Sequence, residues 1–169
     1  MKVRGFPPIL GAKPQVLILG SAPSVASLAA GQYYGHPRNA FWWIMGQLYW
    51  PAQSLDYQQR CLRLIENGIA VWDVLARCER PGSLDSAIVA GTEVCNDISG
   101  LLHEQSGIRS VLLNGGKAQQ SFRRHLWPQL EVPLPAIVNL PSTSPANAGM
   151  RPPEKLKRWA EVLPAPACG

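Results

Sequence analysis

The sequence predicts an α/β fold, a three-layer α/β/α sandwich built on a four-stranded parallel sheet. Four short runs, residues 16–19, 69–72, 109–113 and 136–140, are mostly apolar without alternation, the pattern of strands covered on both faces. Between them apolar residues recur at helical spacing, and alternation of strand with helix lays the strands parallel. At 169 residues with 46% hydrophobic content, the chain suits one domain with a substantial core. That domain is expected over residues 1–163, with the proline-rich residues 164–169 as a frayed tail.

Gly20 closes the first strand and opens a long polar loop that runs to Asn39. Phe41, Ile44, Met45 and Leu48 then share a helical face, with Asn39 at the N-cap and Pro51 as the stop. A second helix spans residues 55–66 and ends at Asn67-Gly68, ahead of the strand 69–72. Residues 78–91, with their Pro, Gly, Ser and Asp, read as a loop, before Val94, Ile98, Leu101 and Leu102 mark a third helix. After strand 109–113, Ala118, Phe122 and Leu126 share a helical face that Pro128 halts. The last helix starts at Pro152-Pro153, turns Leu156, Trp159 and Leu163 to the core, and leaves Lys155, Lys157 and Arg158 solvated.

Sixteen Lys and Arg stand against eleven Asp and Glu, a net charge of +5 and a pI of about 9.3. This basic bias suits an anionic partner without identifying one. Cys61, Cys78, Cys95 and Cys168 are too scattered for a zinc or iron–sulfur motif; idle or buried thiols are expected, and neither metal nor cofactor. No apolar run approaches the ~20 residues of a membrane span, and the first ten residues lack a signal-peptide core. A reducing cytoplasm is the expected compartment.

Ligands of such sheets bind outside the carboxyl ends of the strands, a rule that gathers segments 20–39, 73–83, 114–117 and 141–147 on one edge. Gly20-Ser21-Ala22-Pro23-Ser24 offers small residues and main-chain N–H groups to a base or phosphate, or is an ordinary strand-to-loop turn. It is neither a P-loop nor a dinucleotide fingerprint. In the next loop Tyr34 is the candidate for stacking on a base, while Phe41 and Trp42 fit the helix core. His36 and Asn39 stand in the same stretch, as a chemical pair or as a loop histidine and a helix cap. Asp73 and Asn114 follow the second and third strands, each a base-facing candidate or a strand-end group satisfied locally, Asp73 by loop N–H groups or by Arg77. Ser142, Thr143, Ser144 and Asn147 could hold phosphates or belong to a plain proline-rich loop, and Arg38 and Lys117 are the basic residues beside these motifs.

Gly20-Ser21-Ala22-Pro23-Ser24, His36-Pro37-Arg38-Asn39-Ala40-Phe41-Trp42, Leu113-Asn114-Gly115-Gly116-Lys117-Ala118 and Leu140-Pro141-Ser142-Thr143-Ser144-Pro145-Ala146-Asn147 together resemble, in order, the motifs of the uracil-DNA glycosylase superfamily. The resemblance is strongest to its hypoxanthine-DNA glycosylases and its mismatch-specific uracil/thymine branch. It covers nearly the whole chain. It implies a monomer acting on DNA that contains a deaminated base, which is flipped out and released during base excision repair. The mismatch-specific enzymes carry an asparagine in the first motif that positions the attacking water; here the place is taken by Ala22, which cannot hold water by hydrogen bonds. The hypoxanthine-type branch uses an asparagine of the second motif, matched by Asn39. Hypoxanthine is therefore the implied base, with uracil excision and lesion binding without turnover as the alternatives.

Breaking an N-glycosidic bond builds positive charge on the sugar and negative charge on the base. The resemblance assigns Asn39 to the water, and the base oxygen to main-chain N–H groups near Ser21 or to a donor from His36. Asp73 stands where the mismatch-specific relatives place a base-reading asparagine and would accept from N1–H of hypoxanthine or N3–H of uracil, which it cannot tell apart. The loop with Ser142, Thr143, Ser144 and Asn147 resembles the one that contacts DNA beside the lesion. A hydrolase using Ser21 or Ser24 with His36, His103 or His125 is a further reading, for which the Gly-x-Ser-x-Gly elbow is missing.

Overall fold

The four apolar runs form one parallel sheet. In chain order the elements are β1 (Lys2–Arg4), β2 (Val16–Gly20), α1 (Val25–Ala30), α2 (Phe41–Tyr49), α3 (Tyr57–Glu66), β3 (Ile69–Asp73), β4 (Leu75–Glu79), β5 (Val94–Cys95), α4 (Ile98–Glu104), β6 (Ser110–Asn114), α5 (Gly116–Ser121), β7 (Ala136–Leu140) and α6 (Pro152–Ala160). The computed structural model describes residues 1–131 and 133–167; Cys168 and the last residue of the expected tail lie outside them. The sheet runs β3-β2-β6-β7, with Val16 opposite Ile69 and Ser110, and Ser110 opposite Ala136.

The unalternating strands have a simple cause, since successive residues feed two cores. Val16, Ile18, Ile69, Val71 and Leu112 pack with Phe41, Ile44 and Met45 of α2, Leu64 of α3 and Trp159 of α6. Leu17, Leu19, Ala70, Val111 and Leu113 pack on the other face with Ile98 and Leu101 of α4, Ala118 of α5 and Phe122. Both faces of β2, β3 and β6 are largely dry, so few polar residues are tolerated on them, whereas the edge strand β7 carries the exposed Asn139. Asp56 and Gln59 form a reciprocal capping box that starts α3, and Asp97 caps α4 by accepting from Gly100 N–H at 2.9 Å.

Several elements differ from the sequence reading. Residues 78–91 are only partly a loop, because β4 pairs antiparallel with β1 and β5 in a small second sheet. Val94 belongs to β5 and is exposed; α4 begins at Ile98. These strands are short and carry charged residues on their outer face, which hides them from hydropathy. Lys155, expected in solvent, is buried, and its Nζ donates to the carbonyl of Ser144 at 3.0 Å. Beyond α5 the chain continues through a π turn, Phe122–Leu126, and a 3₁₀ turn, Trp127–Gln129, that holds Pro128 in its first turn. The tail is tethered where fraying was expected: Tyr49 Oη donates to Pro164 O at 2.7 Å and Ala167 N donates to Asn67 Oδ1 at 2.7 Å.

β2 is the first strand of the main sheet; β3 pairs on one side of it and β6 on the other. The connections therefore leave in opposite directions, and a crevice opens between the carboxyl ends of β2 and β6, where α/β sheets place their ligands.

Candidate active site

A cleft of about 810 Å³ occupies this crevice, lined by the first motif, Tyr34, Asn39, Asp73, Asp85, Asn114, the segment 139–144 with Ala146 and Asn147, and Arg158. All four strand ends contribute. Its size falls in the roughly 300–1,000 Å³ range of sites that enclose a small ligand.

The floor is made by Gly20, Asp73 and Tyr34. A Cβ on Gly20 would lie 2.5 Å from Asp73 Oδ1 and 2.9 Å from Tyr34 Oη, so only glycine lets both oxygens stand over the strand end. Asp73 is 4% exposed and its Oδ2 has no hydrogen-bond partner among the described residues. Burial, and then the Asp85 carboxylate, push its pKa up to about 7 against the opposing pull of Arg80. Arg77, the partner considered from sequence, is exposed on β4 opposite Arg4. The influential cation is Arg80, which sequence reasoning missed because a lone arginine in a Pro-Gly-Ser segment carries no pattern. It is fully buried, its Nε donates to Gly82 O at 2.8 Å, a terminal nitrogen donates to Pro23 O, and the other terminal nitrogen has no partner.

Tyr34 sits at φ 53°, a left-handed conformation rare for a non-glycine residue. Its ring stacks on Phe41 with centroids 4.1 Å apart and planes at 24°, so one aromatic face is already taken. Its Oη is buried without a hydrogen-bond partner, and Asn114 approaches it without a well-directed bond. Burial first and Asp73 second raise the phenol pKa, which keeps the O–H intact. Phe41 and Trp42 are buried in the core as the helical pattern predicts.

Asn114 and the fourth motif form the wall opposite β3. Asn114 Nδ2 donates to Thr143 Oγ1 and Asn114 Oδ1 accepts from Thr143 N, both at 3.0 Å. Thr143 is fully buried and its carbonyl accepts from Ala40 N at 2.9 Å. The Thr143 hydroxyl, expected to contact DNA, is thus engaged with Asn114, while the residue itself remains part of the cleft wall. Ser142, Ser144 and Asn147 do line the cleft, within a loop that Asn147 Nδ2 closes on Ser142 O at 3.3 Å. Ser21 and Ala22 line it from β2, and Ser21 Oγ donates to Asp85 Oδ1 at 2.7 Å. Burial raises the Asp85 carboxyl, while Ser21 and then Arg80 oppose the rise.

Asn39 faces the cleft, and its Oδ1 accepts from Phe41 N at 3.0 Å. The N-cap of α2 is Ala40, one residue later than expected; Asn39 closes the turn before it with one lone pair and retains the other, together with the amide N–H groups. His36 lies outside the cleft lining; its Nδ1 accepts from Arg38 N at 3.1 Å, which leaves Nε2 as the proton-bearing nitrogen of the neutral ring. Arg38 is exposed. Lys117 is engaged in an ion pair: its Nζ is 2.7 Å from Glu93 Oε1, and His125 Nε2 is 3.7 Å from the other oxygen. Burial raises the Glu93 pKa, but Lys117 and then His125 outweigh it and hold the carboxylate low. Arg158, read from sequence as an ordinary helix charge, is exposed and reaches the cleft. Among the described residues neither Ser21 nor Ser24 bonds a histidine: Ser21 is turned to Asp85, and Ser24 caps α1 by accepting from Ser27 N at 3.1 Å. No three His, Cys, Asp or Glu side chains among them are grouped to hold a metal ion, and no helix is long and apolar enough to cross a membrane.

Known proteins are similar to this chain in sequence and fold. A hypoxanthine DNA glycosylase of Methanosarcina barkeri is 40% identical over 119 residues, 70% of this chain and 74% of the relative. Another, from Methanosarcina acetivorans, is 38% identical over 147 residues, 85% of this chain and 87% of the relative. A solution NMR structure of a candidate uracil DNA glycosylase from Methanosarcina acetivorans superposes with a TM-score of 0.79 at 34% identity and covers 96% of both chains. The family model of the uracil DNA glycosylase superfamily matches residues 7–163, which takes in every wall of the cleft, and the chain therefore belongs to that superfamily.

Proposed function

We propose that this protein is a monofunctional DNA glycosylase that takes a deaminated base, hypoxanthine first, out of the DNA stack into the cleft and hydrolyses its N-glycosidic bond. The observation that carries the reading is Asp73, a buried carboxyl with an unpartnered oxygen on the floor of a cleft whose wall holds Asn39. Such a floor calls for an N–H donor, and hypoxanthine supplies one at N1. The activity for which both Methanosarcina relatives are named supports the same base.

In the proposed reaction Asn39 accepts a hydrogen bond from a water through its remaining lone pair and aims the oxygen at C1′. The C1′–N bond breaks with its electron pair passing to the base, the water oxygen bonds to C1′ and keeps one proton as the new hydroxyl, and the other proton passes by way of solvent to the base. Main-chain N–H groups beside Ser21 and Ala22 favour the departing anion, the kind of fixed dipole that works best where water is excluded. Arg38 and Arg158 hold phosphates, and the serines of the fourth motif contact the strand beside the lesion.

Uracil is the second reading, because its N3–H suits Asp73 equally and the solved relative is a candidate uracil DNA glycosylase. The test is release of base from matched oligonucleotides containing deoxyinosine, deoxyuridine, deoxyxanthosine or mismatched thymine, single- and double-stranded, with alkali revealing abasic sites. Deoxyinosine is expected to be cut fastest. Dominant uracil release would replace the substrate, and binding of lesion DNA without release from any substrate would replace the activity.

A further inference from the structure

We infer that Tyr34 and Asp73 read the lactam edge of the flipped base as a pair, the Tyr34 hydroxyl donating to the ring carbonyl while the Asp73 carboxylate accepts from the adjacent ring N–H. The inference rests on the glycosylase reading above and gives Tyr34 a different part from the stacking platform its ring suggests.

Three observations carry it. Tyr34 Oη and Asp73 Oδ2 are both buried polar atoms without a hydrogen-bond partner among the described residues. Leaving two such atoms unpaired is costly, and the arrangement makes sense where a ligand pairs them. Both side chains line the same cleft and converge over Gly20, whose missing Cβ would collide with each. They are therefore neighbours, as a carbonyl and the N–H beside it are neighbours on one edge of a base.

The ring of Tyr34 is meanwhile committed. Its stack on Phe41, and the left-handed backbone at φ 53°, aim the hydroxyl at the floor. Strain of this kind persists where the surroundings hold it and clusters at binding sites.

The pairing also separates hypoxanthine and uracil from their parents, adenine and cytosine. Hypoxanthine presents C6=O beside N1–H, and uracil C4=O beside N3–H. Adenine and cytosine present an amine beside a bare ring nitrogen, whose lone pair would face the Asp73 carboxylate. A site built around a donor and acceptor rejects the mismatched edge strongly, because its buried groups are then left unpaired or opposed.

The test compares Tyr34→Phe with the unaltered protein on duplexes containing hypoxanthine or 6-thiohypoxanthine. The thio base keeps the ring and its N1–H but replaces the carbonyl with a poor acceptor. Tyr34→Phe keeps the stack on Phe41, and equal melting temperatures establish that the fold is retained. Hypoxanthine release is expected to fall roughly tenfold to a hundredfold, with the gap between the two proteins closing to within about twofold on the thio base. Equal losses on both bases, or no loss on either, overturn the inference while leaving the glycosylase reading intact. As a check that needs no variant, 1-methylhypoxanthine, which has no N1–H, should be released at least about tenfold more slowly by the unaltered protein; unchanged release overturns the Asp73 half. If the unaltered protein releases neither hypoxanthine nor uracil, both readings fall together.

Discussion

Asn114 holds Thr143 at two points, through the threonine hydroxyl and through its main-chain N–H, both at 3.0 Å. Thr143 in turn accepts from Ala40 N, so one buried asparagine joins the end of β6, the fourth motif and the start of α2. Asn114→Ala removes both bonds and leaves the Thr143 N–H and hydroxyl unpaired in the interior. A loss of roughly 2–4 kcal/mol is expected, read from urea unfolding. Thr143→Val, which keeps the main-chain bond, should lose roughly half as much; equal losses would show that the hydroxyl carries the latch alone.

Gly20→Ala places a methyl 2.5 Å from Asp73 Oδ1 and 2.9 Å from Tyr34 Oη. Both oxygens must move away from the base. Base release should drop at least about a hundredfold, as small misplacements in an active site do, while circular dichroism stays native. Retained activity would mean that the floor is not where the base rests.

Asp73 makes stability depend on pH. Its folded pKa, about 7, lies above the ordinary carboxylate value, so the fold prefers the neutral acid. That preference contributes stability fully below about pH 4 and is lost as the pH rises through about 7. Asp85, Arg80 and Tyr34 are the other groups acting at this position, and Arg80 opposes the shift. Asp73→Asn is always neutral. At pH 8 it should be more stable than the parent by roughly 1–4 kcal/mol, with the difference vanishing near pH 4 in thermal melts. Release of hypoxanthine by the parent should fall as the pH drops below about 7, where the carboxylate gains a proton and loses an acceptor. A variant that melts below the parent at pH 8 would show that Arg80, not burial, governs the group.

Asn39→Ala removes the proposed water ligand and the Oδ1 bond to Phe41 N. The turn is partly exposed, and stability should fall by only about 1 kcal/mol. Single-turnover base release should fall by a hundredfold or more. If release is unchanged while the fold and DNA affinity persist, another group positions the water.

Arg158 and Lys117 separate a phosphate contact from a structural ion pair. Arg158→Ala should weaken binding to lesion DNA and lower the slope of log affinity against log salt by about 1. Lys117→Ala should leave that slope alone and lower the melting temperature, because Glu93 loses its nearest cation. The reverse pattern in a fluorescence-anisotropy salt series would exchange their roles.

Much of the architecture is legible in the sequence because it is local. Residues 16–19 and 69–72 read as strands since two dry faces exclude polar residues, and Ala136–Leu140 appears with the boundaries the apolar run predicts. The small second sheet escaped because Lys2–Arg4 and Val94–Cys95 are too short, and too charged or exposed, to show a period. Lys155 escaped because its burial depends on Ser144, eleven residues earlier in the chain.

Composition, periodicity and motif order by themselves determined the sandwich, the four strand ends that meet at the cleft, and the presence there of Tyr34, Asn39, Asp73 and Asn114. These follow from the chain alone, because burial imposes its period on each element and the ends of parallel strands share one edge. Only the tertiary structure decided which of those polar groups are spent on one another and which stay unpaired. Asn114 is committed to Thr143 and Lys117 to Glu93, whereas Asp73 Oδ2 and Tyr34 Oη have no partner among the described residues and Arg80 arrives beside them from a loop without pattern. Hydrogen bonds between distant segments depend on strand order and on angles of a few degrees, and no one-dimensional pattern records either.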